Sequence, residues 1–113
     1  MLLLALACLT AQSYPGRYAE AYCDLYERCD PETFGAVFDD AGACADEWEA
    51  TRQTYAECYA DCEFVSSMAS SCLDQMADAS CDDWEGGNYG GDCDEVYSCS
   101  ADQEDAAEAC VVG

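Results

Sequence analysis

The chain has 113 residues, enough for a single domain, and its charge is strongly unbalanced: 25 acidic residues stand against three basic ones. The net charge of −22 repels phosphate backbones. It excludes nucleic acid as a partner and favours an unidentified protein or another cationic molecule. A core of this size is marginal by itself, so the chain needs a second source of stability.

Eleven cysteines in so short a chain predict a disulfide scaffold in an oxidising compartment. Metal sites usually combine cysteine with histidine, and the sequence has neither histidine nor a C-x-x-C pair, so we expect no metal centre and no cofactor. Since eleven is odd, one cysteine needs a different use. We assign ten to disulfides: Cys23, Cys29, Cys44, Cys58, Cys62, Cys72, Cys81, Cys93, Cys99 and Cys110.

Residues 1–9 are similar to the end of an export signal. The apolar run is too short to span a bilayer, which needs about 20 residues. Small Ala7 directly precedes Cys8, as in a bacterial lipobox, where the cysteine becomes lipidated. Because the run is short and lacks a basic region, we expect the true start to lie upstream.

The role of Cys8 therefore has two interpretations. Either it carries a lipid, which would be the protein's one membrane attachment, or it is removed with an ordinary signal peptide. Both place the protein outside the cytoplasm, in a bacterial cell envelope or secreted. Residues 10–16 are then a short polar tether, and residues 17–113 form a single disulfide-stapled domain.

Helical periodicity begins after the tether. One apolar face comprises Tyr18, Ala21, Tyr22, Leu25, Tyr26 and Cys29. Asp30 followed by Pro31 predicts the start of a second helix, which carries Phe34, Val37 and Phe38 on one side and is broken at residues 39–42. A longer third helix is expected to reach about Cys62.

The next helix begins at Ser66. The turn from Cys62 is short, so we expect the third and fourth helices to form an antiparallel hairpin. Such a hairpin brings Cys58 opposite Cys72, which is our best single disulfide prediction. The glycine-rich residues 86–91 predict a loop with Tyr89 at its tip, either exposed to a partner or resting on a neighbouring tryptophan.

Two capping-box-like pairs, Asp92 with Glu95 and Ser100 with Gln103, predict two further helix starts. Cys23 and Cys29, and likewise Cys93 and Cys99, are six residues apart and point about 120° away from each other on a helix, so each is expected to bond to a different neighbour. No stretch alternates as a strand does. The predicted fold is all-α, a small disulfide-rich bundle of four to six short helices without a sheet.

The absence of histidine and lysine removes most catalytic machinery, so we identify no catalytic residues and expect no enzyme. A carboxylate-based hydrolase is a distant alternative. The acidic residues 82–85 and 92–95 leave calcium binding open, since oxygen-rich loops bind that ion, although the EF-hand pattern is not met. The default interpretation of these segments is a solvated acidic surface.

The segments Tyr22-Cys23-Asp24-Leu25 and Cys29-Asp30-Pro31, with the spaced cysteines up to Cys81, resemble the small cysteine-rich exported lipoproteins of myxobacteria and related bacteria. The resemblance covers residues 17–99. It implies export and lipidation, and it assigns no functional residues. The expected function is a structural or binding protein of the cell envelope, with a lipid anchor at Cys8. The alternative is a freely secreted interaction module of the inhibitor or toxin-like kind.

Overall fold

The structure is a computed structural model that describes residues 9–113 and contains six α-helices in that range. They are α1 (Tyr14–Cys29), α2 (Pro31–Val37), α3 (Ala41–Cys58), α4 (Ser66–Asp78), α5 (Cys81–Gly86) and α6 (Ala101–Val112). A 3-10 helix spans Gly91–Glu95. The chain is thus a small, disulfide-rich all-α protein, as the sequence predicts.

One small sheet corrects the prediction that no strand is present. The strands β1 (Glu63–Phe64) and β2 (Tyr97–Ser98) pair antiparallel, with Glu63 opposite Ser98 and Phe64 opposite Tyr97. Two residues are too few for alternation to be recognised in a sequence. The pairing joins two connecting segments that are distant in the chain.

Helix α1 is the centre of the fold, since it packs against α2, α3, α4 and α5. The predicted apolar face accounts for only part of this packing. Ala19 and Cys23, which lie off that face, are also buried. A helix surrounded by neighbours buries more than one stripe.

The predicted tether is wrong in its second half, because α1 begins at Tyr14, inside the segment 10–16. Pro15 lies in the first turn of the helix, where the missing N–H costs no hydrogen bond. Tyr14 is only 1% exposed, and Leu9 packs against the same core cluster. The folded domain therefore begins well before residue 17.

The predicted helix starts are confirmed only in part. At α6 the predicted capping box is present: Gln103 donates its N–H to Ser100 Oγ (3.2 Å), and Ser100 donates its N–H to Gln103 Oε1 (2.8 Å). Pro31 does begin α2. The Asp92–Glu95 box is wrong, because the Asp92 carboxylate accepts a hydrogen bond from Ser71 Oγ instead.

The predicted hairpin of α3 and α4 is also wrong. Helix α3 ends at Cys58, and the chain turns and enters β1 before α4 begins. Helix α4 packs on α1 and on the 3-10 helix. Cys58 and Cys72 are consequently not partners: Cys58 bonds to Cys110 and Cys72 to Cys93.

Two small clusters form the core. One contains Tyr14, Ala69, Cys72, Met76 and Val96, and the other contains Cys23, Phe34, Phe38 and Cys44. Among the described residues, no charged or polar side chain is counted as buried. Cysteine sulfur belongs to both clusters, so the disulfides are themselves part of the packed interior.

Candidate functional site

Five disulfides connect the ten cysteines between residues 9 and 113. The pairs are Cys23–Cys44, Cys29–Cys81, Cys58–Cys110, Cys62–Cys99 and Cys72–Cys93. All ten cysteines assigned to bridges from the sequence are therefore bridged. Such a density of disulfides indicates an oxidising environment outside the cytoplasm. Cys8, the lipidation candidate, lies outside the described residues.

The expectation that paired cysteines bond to different neighbours is confirmed. The helical angle behind it applies only to the first pair, because Cys93 lies in the 3-10 helix and Cys99 follows β2. Cys23 and Cys29 both lie on α1, and they bond to α3 and α5 respectively. Cys93 and Cys99 likewise have separate partners, in α4 and in the turn after α3. Each such pair fastens one segment to two neighbours.

Aromatic side chains form one continuous network through the protein. It includes all eight tyrosines, both tryptophans and all three phenylalanines, and each ring centroid lies within 6.3 Å of another. Aromatic pairs contribute about 0.5–1.5 kcal/mol beyond their buried area. The network supplements an interior that holds few large aliphatic side chains.

Tyr89, the candidate contact residue of the glycine loop, belongs to this network. Its ring lies 5.2 Å from that of Trp84 and 6.2 Å from that of Tyr22, and it is half-buried. The loop turns at Gly87, whose φ of 74° suits glycine. The interpretation that Tyr89 rests on a tryptophan is the one that the structure supports.

Arg52 is a functional candidate that the sequence analysis missed. Its guanidinium carbon lies 4.1 Å from the centroid of the Tyr18 ring and 4.4 Å from that of Tyr55. Its Nε is buried without a hydrogen-bond partner among residues 9–113. In a chain with so many carboxylates, this cation is held by two ring faces. Tyr55 follows Arg52 by three residues on α3, a spacing that brings side chains together, whereas nothing in the sequence signals the contact with Tyr18.

Beside Arg52, three tyrosines gather where α3 meets β2. The ring of Tyr59 lies 4.7 Å from that of Tyr55 and 5.3 Å from that of Tyr97, with interplanar angles of 26° and 24°. The sequence places Tyr55 and Tyr59 one helical turn apart, whereas it gives no sign that Tyr97 lies beside them. The pairing of β1 with β2 and the bridge Cys62–Cys99 hold Tyr97 in place.

These three rings border a cavity of about 260 Å³, which we call the tyrosine cavity. Besides the rings, three carboxylates line it: Asp94, Glu95 and Glu104. A larger and more open cavity, about 440 Å³, shares Tyr59 and Tyr97 but has Glu57 as its one charged lining residue. Tyrosine side chains and carboxylates thus line the smaller cavity together.

Burial raises the pKa values of several tyrosines in and near this cavity. It raises the pKa of Tyr55, helped by the hydrogen bond and charge of Tyr59, and it raises the pKa of Tyr97 against the opposing charge of Arg52. It also raises the pKa of Tyr14 to about 12. At neutral pH Tyr14, Tyr55 and Tyr97 are therefore uncharged.

The acidic segments considered for calcium make other contacts. Asp83 accepts the N–H of Ser80 in a capping box (3.0 Å), and Asp92 accepts from Ser71. A cavity of about 460 Å³ lies between α4 and the glycine loop and includes Asp74 and Asp78 in its lining. Between residues 9 and 113, however, no three side chains of the His, Cys, Asp or Glu type are arranged to hold a metal ion.

Comparison with protein-family models, with curated proteins and with solved structures finds no match. In the part of the chain that the structure describes, no helix combines the length and apolarity needed to cross a bilayer.

Proposed function

We propose that this chain is an exported binding protein of a bacterial cell envelope, anchored by a lipid on Cys8. The observation that carries the proposal is the pairing of the cysteines. The ten between residues 9 and 113 bond among themselves, so none remains as an intramolecular partner for Cys8. Lipidation gives the eleventh cysteine a use, and the small Ala7 before it suits that reaction.

A non-catalytic role agrees with the composition. The chain has no histidine, so general-base catalysis would have to come from carboxylates and tyrosines, and it has no lysine to form a Schiff base. The tyrosines with raised pKa values are poor bases at neutral pH. Rigid cavities on a cross-linked scaffold suit binding better than turnover.

The early start of the fold determines how an anchored protein would sit. Residues 10–13 are tied by hydrogen bonds between Thr10 and Ser13, and Leu9 packs on the core. A lipid on Cys8 would hold the domain directly against the bilayer. Because the net charge of −22 repels anionic lipid, the acyl chains have to supply all of the attraction.

The test is made in the native host, with the gene at its own locus. Cells are labelled with a fatty-acid analogue, and the mature protein is isolated for intact mass and thiol counting. The proposal expects a labelled protein in the membrane fraction with five disulfides, and no label in a Cys8→Ser variant. Glu104→Gln, which leaves the N-terminus untouched, serves as the labelled control.

The outcomes distinguish the alternatives. An unlabelled but oxidised protein in the medium or periplasm would identify a freely secreted module and exclude the anchor. A cytoplasmic protein with reduced thiols would refute export altogether.

A further inference from the structure

We propose that the bridge Cys58–Cys110 is a redox-sensitive latch on α6, and that its reduction by a dithiol frees this helix from α3 while the rest of the fold stays intact. The inference goes beyond export, and it stands whether or not Cys8 carries a lipid. It rests on how α6 is attached, on the exposure of Cys110 and on the surface of α3 that the helix covers.

Helix α6 has little non-covalent attachment to the rest of the fold. It packs against α3. Of its twelve residues, Ala107 is buried and Gln103 is half-buried, and the other ten are exposed. Gln103 donates a hydrogen bond from Nε2 to the carbonyl oxygen of Asp61 (3.0 Å). Burial of one alanine gives little hydrophobic stabilisation, so packing contributes little to the docking of α6.

The charge of α6 opposes its docking. The helix carries Asp102, Glu104, Asp105 and Glu108 and no basic residue, in a chain whose net charge is −22. Like charges on the helix and on the rest of the protein repel each other. Isolated helices shorter than about 12–15 residues are marginal in water, and α6 has 12 residues. A released α6 therefore loses much of its helical structure.

Sulfur fixes this segment at two points. The bridge Cys62–Cys99 holds the chain just before α6 begins, and Cys58–Cys110 holds the helix near its C-terminal end. Cys110 is the one cysteine between residues 100 and 113, so opening its bridge leaves α6 without a covalent tie beyond Cys99. The other bridges still connect α1 to α3 and α5, and α4 to the 3-10 helix.

The latch is open to attack by a reductant. Cys110 is the one exposed cysteine among the ten between residues 9 and 113, and its partner Cys58 is half-buried. Thiol–disulfide exchange begins at a sulfur that the attacking thiolate can reach. Cys110 Sγ is therefore the atom at which the exchange starts.

The reaction is an exchange with a dithiol reductant. One thiolate of the reductant attacks Cys110 Sγ, the bond between the two cysteines breaks, and Cys58 leaves as a thiolate. The second thiolate of the reductant then displaces Cys110 from the mixed disulfide. The dithiol loses two electrons and two protons and becomes a disulfide, while Cys58 and Cys110 gain them and become thiols.

Release of α6 uncovers one face of α3. Val111 of α6 lines a cavity of about 290 Å³ together with residues of α3, which are Thr51, Thr54, Tyr55 and Cys58. The tyrosine cavity loses part of its wall in the same step, because Glu104 belongs to α6. The reduced form therefore presents Tyr55 beside a free Cys58 thiol, on a surface that the oxidised form covers.

The experiment treats the full, oxidised chain with a limiting amount of dithiothreitol. The species in which only Cys58–Cys110 has opened is trapped with iodoacetamide, identified by peptide mapping and studied by amide hydrogen exchange. Amides of α6 should exchange at least about tenfold faster than in the oxidised protein, whereas those of α1 and α4 should change by less than about twofold. Protein that is reoxidised instead of trapped should recover the slow exchange of α6.

Paired variants provide the control. Cys58→Ser combined with Cys110→Ser opens the latch permanently and should give the same fast exchange in α6. Cys29→Ser combined with Cys81→Ser removes a half-buried bridge with the same sequence separation of 52, and it should leave exchange in α6 unchanged.

Unchanged exchange of the α6 amides in the trapped species would overturn the proposal, because packing would then be sufficient to hold the helix. Equally fast exchange in α1 and α4 would also overturn it, since the bridge would then stabilise the whole fold. The opening of another bridge before Cys58–Cys110 would show that this bridge is not the latch. If the paired serine variant fails to fold by circular dichroism, the trapped wild-type species still decides between these outcomes.

Discussion

The guanidinium group of Arg52 on α3 lies over the ring of Tyr18 on α1, with 4.1 Å between its central carbon and the ring centroid. Tyr55 approaches the same group at 4.4 Å. One cation thus connects the two helices of the chain that share the most extensive contact.

Arg52→Ala is expected to lower the free energy of unfolding by about 1–3 kcal/mol, because it removes two cation–π contacts and the packing of the arginine stem. The free energy of unfolding of Arg52→Lys should lie between those of the wild type and Arg52→Ala, since an ammonium lacks the planar face that stacks on rings. The measurement is urea unfolding of the oxidised protein at fixed pH and salt.

Arg17→Ala is the matched control for that series. It makes the same change in net charge, and Arg17 is an exposed residue of α1, so its effect should stay within about 0.5 kcal/mol. Equal losses for Arg17→Ala and Arg52→Ala would mean that charge alone matters, and that the ring contacts contribute nothing.

The bridges are expected to be reduced in a defined order. Cys110 is exposed, whereas Cys23 and Cys44 are 2% and 0% exposed, so Cys58–Cys110 should open first and Cys23–Cys44 last. Access of the reductant to sulfur limits the rate of exchange. Brief treatment with a small thiol, alkylation and peptide mapping would establish the order.

Two bridges that close loops of equal length but differ in exposure show whether accessibility controls the rate of reduction. Cys58–Cys110 and Cys29–Cys81 both have a sequence separation of 52, so the chain-entropy account assigns each about 4 kcal/mol. Cys29 and Cys81 are half-buried. If these two bridges opened at the same rate, exposure would not be the controlling factor.

Complete reduction is expected to unfold the protein at 25 °C. Loss of a native disulfide from a small domain costs about 2–5 kcal/mol, and the total stability of a domain is about 5–15 kcal/mol. Five such losses, together with repulsion at a net charge of −22, exceed that stability. Circular dichroism of the reduced, alkylated chain should show little helix; a full helical signal would disprove the dependence on sulfur.

Stability is expected to fall as the pH rises from about 10 to 12. Burial, opposed by the Arg52 charge, raises the pKa of Tyr14 to about 12, and burial with neighbouring tyrosines raises that of Tyr22 to about 12, from an ordinary value of 10.0. In this window the unfolded chain has lost protons that the folded chain still holds, so the stabilisation is complete below pH 10 and disappears above pH 12.

The measurement is urea unfolding after rapid pH jumps, with phenolate absorbance followed in parallel. In Tyr14→Phe the free energy of unfolding should fall less between pH 10 and pH 12, because a phenylalanine cannot ionise. A wild-type protein whose tyrosines all titrated near pH 10 without loss of stability would contradict the burial of these phenols.

Local signals in the sequence predicted several elements correctly. Ser100 with Gln103 caps α6 and Pro31 begins α2, because a capping box and the fixed φ of proline act within one turn, although the Asp30 side chain makes no capping hydrogen bond. The same reasoning failed at Asp92, whose carboxylate accepts a hydrogen bond from Ser71 of α4 and so does not cap a helix. It also failed at Tyr14, where a proline-containing segment that looks like a linker begins the central helix.

The candidate site could not be predicted in the same way. Tyr55 and Tyr59 are one helical turn apart, but Tyr97 reaches them only through a strand pair of two residues. The contact of Arg52 with Tyr18 joins residues 34 positions apart on different helices. Contacts of this kind depend on how the helices are arranged, and short segments do not encode that arrangement locally.

Composition and residue order together were enough to predict that this chain is highly acidic, rich in helix and cross-linked by ten of its cysteines, because charge, periodicity and cysteine number are properties of the chain itself. Only the tertiary structure decided which cysteines pair and which tyrosines meet. Many pairings satisfy the same spacings, and the packing of α1 between α3 and α4 selects one of them.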